Sequence, residues 1–197
     1  MSRIIAGSRR GRRLTMPSNG LTRPTTDRVR EALFSALTSW AGTSGDVTDQ
    51  SLAGLSFCDL YAGSGAVGLE AASRGASRVL LVESDKRTAM VTTRNARELD
   101  LQVQVRTMRV EQLVAEPAAE GFDIVFLDPP YDASAQAIET VLGRLLTGGW
   151  LTGAGLTVVE RSRRSAELAW PQGIEEPWSR RYGETVLHFG QVAERTA

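Results

Sequence analysis

The chain is poor in the residues that build several common kinds of site. It has one cysteine, Cys58, and one histidine, His188, in 197 residues. That excludes an internal disulfide and leaves no His/Cys cluster with metal-ligand spacing, so no metal site is expected. Both residues are read as packing residues, the commoner role for Cys and His. No apolar run approaches the roughly 18 residues that a membrane span requires, and the apolar part of MSRIIAGSRRGRR is too short for a signal peptide. The expected compartment is the cytosol, with no membrane partner. Internal repeats and low-complexity segments are also lacking.

What is present is enough apolar material for a core. Hydrophobic residues make up 42% of the chain, which suits one domain with a small appendage. The formal net charge of zero conceals an asymmetry. Residues 1–30 hold eight arginines against Asp27 alone, a balance of plus 7, and the remaining 167 residues carry minus 7. Charge runs are more often solvated tails than binding sites. Here the residues are arginines, which fork onto phosphates, and Ile4, Ile5 and Leu14 interrupt the run as RIIAG-SRRG-RRL. That spacing, with Gly7 and Gly11 near the turn, predicts a basic hairpin suited to a nucleic acid.

Val29, Leu33, Ala36, Leu37 and Trp40 fall at helical spacing behind Thr25 and Thr26, which predicts a helix over 26–40. A Gly/Ser/Thr/Asp-rich loop over 41–54 divides an N-terminal extension, 1–40, from a body, 41–197. In the body, short apolar runs at 55–61, 77–83, 101–107, 122–128, 155–161 and 184–190 alternate with helical stretches. Such alternation predicts an α/β fold, a parallel sheet with helices on both faces. The last run follows WPQGIEEPW without a long helix, so the sheet is expected to end in an antiparallel pair.

The first run leads into DLYAGSGAVGLE, where Gly63, Gly65 and Gly68 fit G-x-G-x-x-G between a strand and a helix. Glycine is needed there so that the backbone turns sharply and a ligand can lie against it. The next run ends in Glu83, an acceptor for ribose hydroxyls, and by this motif alone NAD would fit. A dinucleotide enzyme, however, adds a substrate domain, and only QVAERTA follows the sixth run. Asp59, ahead of the glycines, would repel a pyrophosphate and welcome a cationic, amine-bearing cofactor. S-adenosylmethionine fits that description.

The fourth run ends in FLDPPYD. Pro129 and Pro130 offer no N–H and fix their own φ, so Asp128 and the Pro129 carbonyl form a stiff corner of acceptors. Acceptors without donors match an amino group whose lone pair is turned towards an electrophile. Tyr131 would stack on the base that carries the amine, and a base inside a duplex would first be flipped out. A strand-ending turn with a packed Tyr is the bland reading, and the glycine loop some sixty residues earlier weighs against it.

DLYAGSGAVGLEA together with FDIVFLDPPY resembles the class I S-adenosylmethionine-dependent methyltransferases of exocyclic amines. RIIAGSRRGRRL followed by RPTTDRVREALFSAL resembles, more narrowly, the RsmD-type 16S rRNA guanine-N2 methyltransferases, over residues 3 to 190. The resemblance implies a Rossmann-like, mostly parallel sheet of seven strands with the last antiparallel. It implies S-adenosylmethionine held by Asp59, Gly63, Ser64, Gly65, Glu83 and Ser84, and chemistry at Asp128, Pro129, Pro130 and Tyr131. Arg9, Arg10, Arg12, Arg13, Arg23, Thr25 and Arg28 would face RNA, with Pro24 in the arm-to-helix segment. The implied partner is 16S rRNA in the small subunit or its assembly intermediate, and the enzyme is expected to be a monomer. Residues 107–114, TMRVEQLV, lack the acid expected to meet the adenine amine, which leaves Met108 against the ring and the Arg109 or Val110 amide at N1. DPPY equally permits an adenine-N6 methyltransferase of DNA or RNA. A third reading is an assembly factor that binds RNA without catalysis.

Overall fold

The computed structural model describes residues 2–17 and 26–193, so Arg23, Pro24 and Thr25 lie outside the described residues. Seven strands form a mostly parallel sheet that ends in antiparallel strands, as expected, and a two-stranded ribbon stands apart from it. The chain divides into two compact units, Met1–Thr107 and Met108–Ala197.

In the first unit β1 (Ser2–Arg3) and β2 (Arg13–Leu14) pair antiparallel, with Ser2 opposite Leu14 and Arg3 opposite Arg13. The hairpin is therefore present, and Gly7 and Gly11 turn it at φ +82° and +80°. Helix α1 (Asp27–Trp40) starts at Thr26, whose Oγ1 accepts from the Val29 N–H at 3.3 Å, and buries Val29, Leu33, Phe34, Ala36 and Leu37. Then follow β3 (Ser56–Leu60), α2 (Ala66–Ser73), β4 (Arg78–Glu83), α3 (Lys86–Glu98) and β5 (Gln104–Thr107). The parallel order within this unit is β5-β4-β3, with Asp59 opposite Leu81 and Glu83 opposite Thr107.

The ribbon is bound to the unit by buried polar groups. Glu70 of α2 is fully buried, and its carboxylate accepts from the Ile5 and Ala6 amides at 2.7 and 2.9 Å and from Arg74 Nε at 2.9 Å. A buried carboxylate needs such partners, because an unpaired charge there costs several kcal/mol (on the order of 3–5 when a partner is removed). Arg74 in turn lies over the Phe34 ring, 4.6 Å from its centroid. Arg30, counted above in the basic arm, is instead fully buried. It donates to Ser2 Oγ at 2.9 Å and to the Arg3 carbonyl at 2.6 Å, and it pairs with Asp27 at 2.8 Å.

The second unit holds α4 (Val110–Leu113), β6 (Phe122–Leu127), α5 (Ala135–Thr147), β7 (Leu151–Ser162), β8 (Ile174–Tyr182) and β9 (Thr185–Val192). Strand order within it is β6-β7-β9-β8. β6 and β7 run parallel, with Leu127 opposite Val159, and β9 runs antiparallel to both of its neighbours. β8 falls on the stretch that reads as a Pro-containing connection. Pro177 is tolerated because β8 lies at the end of the strand order and its register shifts between Glu175 and Trp178, where Glu176 has φ +41°. Trp178 then stacks on Phe189, with ring centroids 5.1 Å apart.

Candidate active site

The glycine loop belongs to the first unit. β3 is buried along its whole length and ends at Leu60, after which Tyr61 takes φ +66°, a strained value for a bulky residue. Gly63 and Gly65 follow at φ +56° and +81°, and α2 opens at Ala66. A Cβ on Gly65 would come within 2.7 Å of the Thr92 methyl, and one on Gly68 within 2.8 Å of Leu81. The glycines thus serve two ends, a left-handed turn and the close seating of α2 against β4 and α3.

Asp59, expected to face a cationic cofactor, is buried, and its Oδ2 accepts from the Gly68 N–H at 2.8 Å. It supplies the helix cap that Gly65 cannot. Burial pushes its carboxyl up to about 7; the Gly68 bond opposes the rise and the charge of Glu83 adds to it. Glu83 accepts from the Gly63 N–H at 2.9 Å through Oε2 and from the Asp85 N–H at 2.8 Å through Oε1. A carboxylate offers about four acceptor positions, so these two amides leave room for the two hydroxyls of a ribose. Ser84 is exposed beside it, its hydroxyl 3.5 Å from Glu83 Oε1.

Two further residues, which no motif marks, hold the loop from α3. Thr92 Oγ1 donates to the Gly63 carbonyl at 2.6 Å. Asn95, buried, donates through Nδ2 to the Ser64 carbonyl at 3.0 Å and to the Thr15 carbonyl at 2.9 Å, while its Oδ1 accepts from the Thr15 N–H at 2.9 Å. One amide side chain therefore ties the chain leaving the basic hairpin to the glycine loop. The only signal in the sequence is a polar residue on the buried face of an amphipathic helix.

The D-P-P-Y corner belongs to the second unit. β6 is buried up to Leu127, Asp128 is half-buried, Pro129 is buried and Pro130 is exposed. The Pro130 carbonyl accepts from the Ala133 N–H at 2.9 Å, and Ser134 then caps α5 by accepting from the Ala137 N–H at 3.1 Å. Between these fixed points Tyr131 stands 73% exposed, an unusual state for a large ring and the one a stacking surface requires. Met108 is half-buried just ahead of α4. The Arg109 amide lies 3.4 Å from Gln112 Oε1, and its guanidinium lies 3.4 Å from Glu111.

The arm arginines divide into two groups. Arg9 donates through Nε to the Leu99 carbonyl and through Nη2 to Asp100, and Arg12 donates to the Glu98 carbonyl at 3.1 Å. Both thus satisfy the carbonyl end of α3, where positive charge is favoured. Arg10, Arg13 and Arg28 are exposed. Cys58 and His188 pack as expected: Cys58 is fully buried, which drives its thiol pKa up, and half-buried His188 is lowered by desolvation and then by Arg161. Among the described residues no cluster of His, Cys, Asp and Glu could hold a metal ion, and no helix is long and apolar enough to cross a membrane.

A mostly parallel sheet, a G-x-G-x-x-G turn with an acid at the next strand end, and a D-P-P-Y corner define a class I methyltransferase that uses S-adenosylmethionine. Residues 2–191 match the family described as Conserved hypothetical protein 95, and the chain belongs to that family, the RsmD-type methyltransferases. It is 36% identical over 159 residues to the Escherichia coli K12 ribosomal RNA small subunit methyltransferase D, covering 80% of this chain and 73% of that one. It is 33% identical over 176 residues to the putative rRNA methyltransferase YlbH of Bacillus subtilis, covering 87% of each. The solved structure of the putative methyltransferase yhhF from Escherichia coli superposes with a TM-score of 0.82 at 28% identity, covering 98% of both chains.

Proposed function

We propose that the enzyme methylates the exocyclic N2 amine of a guanine in 16S rRNA, as a monomer in the cytosol acting on the small subunit or its assembly intermediate. The observation that carries this reading is the exposed Tyr131 ring set directly behind the half-buried Asp128 in a proline-stiffened corner. The Escherichia coli and Haemophilus influenzae relatives named as small-subunit rRNA methyltransferases support the choice of RNA.

S-adenosylmethionine, when bound, supplies an electrophilic methyl on a positively charged sulfur. Glu83 would take the ribose hydroxyls on its remaining acceptor positions, and the Gly63–Gly65 turn would lie against the methionyl part. Met108 and the Arg109 amide are assigned to the adenine. Asp128 and the Pro129 carbonyl would accept the two N–H bonds of the guanine amine, favouring its pyramidal form and freeing the lone pair. The nitrogen gains a methyl and sheds one proton, which Asp128 takes as the hydrogen-bonded base. Tyr131 stacks on the base, and residues 1–40, with Arg10, Arg13, Arg23, Thr25 and Arg28, form the RNA-facing extension.

The test is transfer of tritiated methyl groups to small subunits from a strain lacking the enzyme, to naked 16S rRNA and to duplex DNA, with analysis of the labelled nucleoside. Label in N2-methylguanosine is expected. Label confined to DNA would replace this reading with an adenine-N6 methyltransferase, and failure to bind S-adenosylmethionine by calorimetry would leave only a non-catalytic RNA-binding role.

A further inference from the structure

Within the second unit, the strand ends that carry the D-P-P-Y corner also gather arginines that no motif assigns. β6 and β7 are parallel and Leu127 lies opposite Val159, so two residues further on the chain reaches Pro129, just past the end of β6, and Arg161 of β7. Arg161 and Arg181 are both paired with Val186 of β9, forming one rung across three strands. Paired residues share a face, and strand spacing puts the two arginine backbones roughly 10 Å apart. The turn after β7 is bound to the turn between β8 and β9: the Arg163 N–H donates to the Glu184 carbonyl at 2.9 Å, and the guanidinium pairs with the Glu184 carboxylate at 2.8 Å. Arg164 shares that same carboxylate at 3.7 Å, which cannot neutralise both.

Charge is segregated along β8. Glu175 and Glu176 stand at its start, and the exposed Arg180 and Arg181 at its end, about 17 Å away by the rise of a strand. Segments 160–164 and 179–184 together hold five arginines against Glu160 and Glu184. Arg161 adds a polar irregularity, since its Nη1 is buried with no hydrogen-bond partner. A surplus of forked donors at the same end of the strands as an exposed stacking ring suits a phosphodiester backbone better than an acidic protein, because each base presented to Tyr131 arrives with its own flanking phosphates.

We infer that Arg163, Arg164, Arg180 and Arg181 form a second RNA-binding site, which holds the phosphates flanking the base presented to Tyr131. The inference rests on the proposed RNA substrate, with a role separate from that of the N-terminal arm.

The experiment uses the full chain with Arg163, Arg164, Arg180 and Arg181 all changed to Gln, and a second variant with all four changed to Lys. The probe is a fluorescent single-stranded RNA oligonucleotide, titrated from low to moderate salt, with S-adenosylmethionine affinity measured in parallel. Each neutralised phosphate contact contributes about 0.7 to the slope of log K against log salt for a single strand, so the Gln variant should lose about 3 and the Lys variant little. Cofactor affinity should stay within twofold, and Arg94→Gln with Arg97→Gln should leave the slope alone. An unchanged slope in the Gln variant, or a wild-type protein indifferent to the oligonucleotide, overturns the site. So does weakened binding to whole small subunits with the oligonucleotide slope intact, which would point to a ribosomal protein. Methyl transfer by the wild type to small subunits, run alongside, judges the rRNA reading separately: its failure with a reduced slope sinks the substrate and keeps the phosphate site.

Discussion

Asp59 makes the stability of this enzyme depend on pH in a direction opposite to the usual one for a carboxylate. Burial raises its pKa from 3.8 to about 7. Between those values the folded protein holds a proton that the unfolded chain has released, so stability falls as pH rises. The contribution is fully present below 3.8, is lost progressively up to about 7, and amounts to about 4 kcal/mol at 1.36 kcal/mol per unit. Asp59→Asn keeps an acceptor for the Gly68 N–H and removes the titration. Other ionisations are common to both proteins and largely cancel in the difference. Urea unfolding followed by Trp fluorescence at pH 5, 6, 7 and 8 should show the wild type losing on the order of 3 kcal/mol relative to Asp59→Asn from pH 5 to 8, levelling above 7. A difference between the two proteins that does not change with pH would mean that the carboxyl is ionised throughout, and would refute the burial reasoning.

Four other expectations follow from single contacts. Asp128→Ala should lower kcat by about 10²–10³-fold, a typical cost for a lost transition-state contact, while calorimetry shows S-adenosylmethionine affinity within a few fold. Tyr131→Ala should weaken binding of the RNA oligonucleotide by about 1–3 kcal/mol without altering its salt slope, as read by fluorescence anisotropy. Gly7→Ala places a Cβ 2.0 Å from the Ser73 carbonyl at φ +82°, so the hairpin should undock, and hydrogen exchange at the Ile4 and Gly11 amides should accelerate. Asn95→Ala strands the Ser64 carbonyl and both backbone polar groups of Thr15, so unfolding free energy should drop by about 1–3 kcal/mol or more, and S-adenosylmethionine should bind more weakly by calorimetry.

Much of the fold was legible because the signals were periodic. α1 is set by apolar spacing and Thr26, the glycine loop by residues that only a left-handed turn demands, and the hairpin by Ile4, Leu14 and the turn glycines. β8 was missed because Pro177 and two glutamates mark a loop in any local reading, and its place at the end of the strand order is set by pairing with β9, a long-range fact. The arm arginines show what net charge leaves out. Net charge treats Arg9, Arg12 and Arg30 as equivalent to Arg10, although the first two close the end of α3 and the third is interior. Asp59 was picked out for its charge, and its bond to the Gly68 amide, which holds the start of α2, could not be read from spacing. Asn95 could not be singled out, since its partners at Thr15 and Ser64 lie 80 and 31 residues away.

The docking of the hairpin also sets a timetable. Its anchors lie late in the chain: Glu70 is 65 residues beyond Ile5, and Leu99 is 90 residues beyond Arg9. At about 5–20 residues per second of synthesis, the hairpin leaves the ribosome several seconds before anything exists for it to dock on. During that interval the basic hairpin is undocked, and Arg9 and Arg12 can make their bonds to the end of α3 only after that helix has formed. Docking of the basic hairpin is therefore a late event in biogenesis, coupled to completion of the helices that hold the glycine loop.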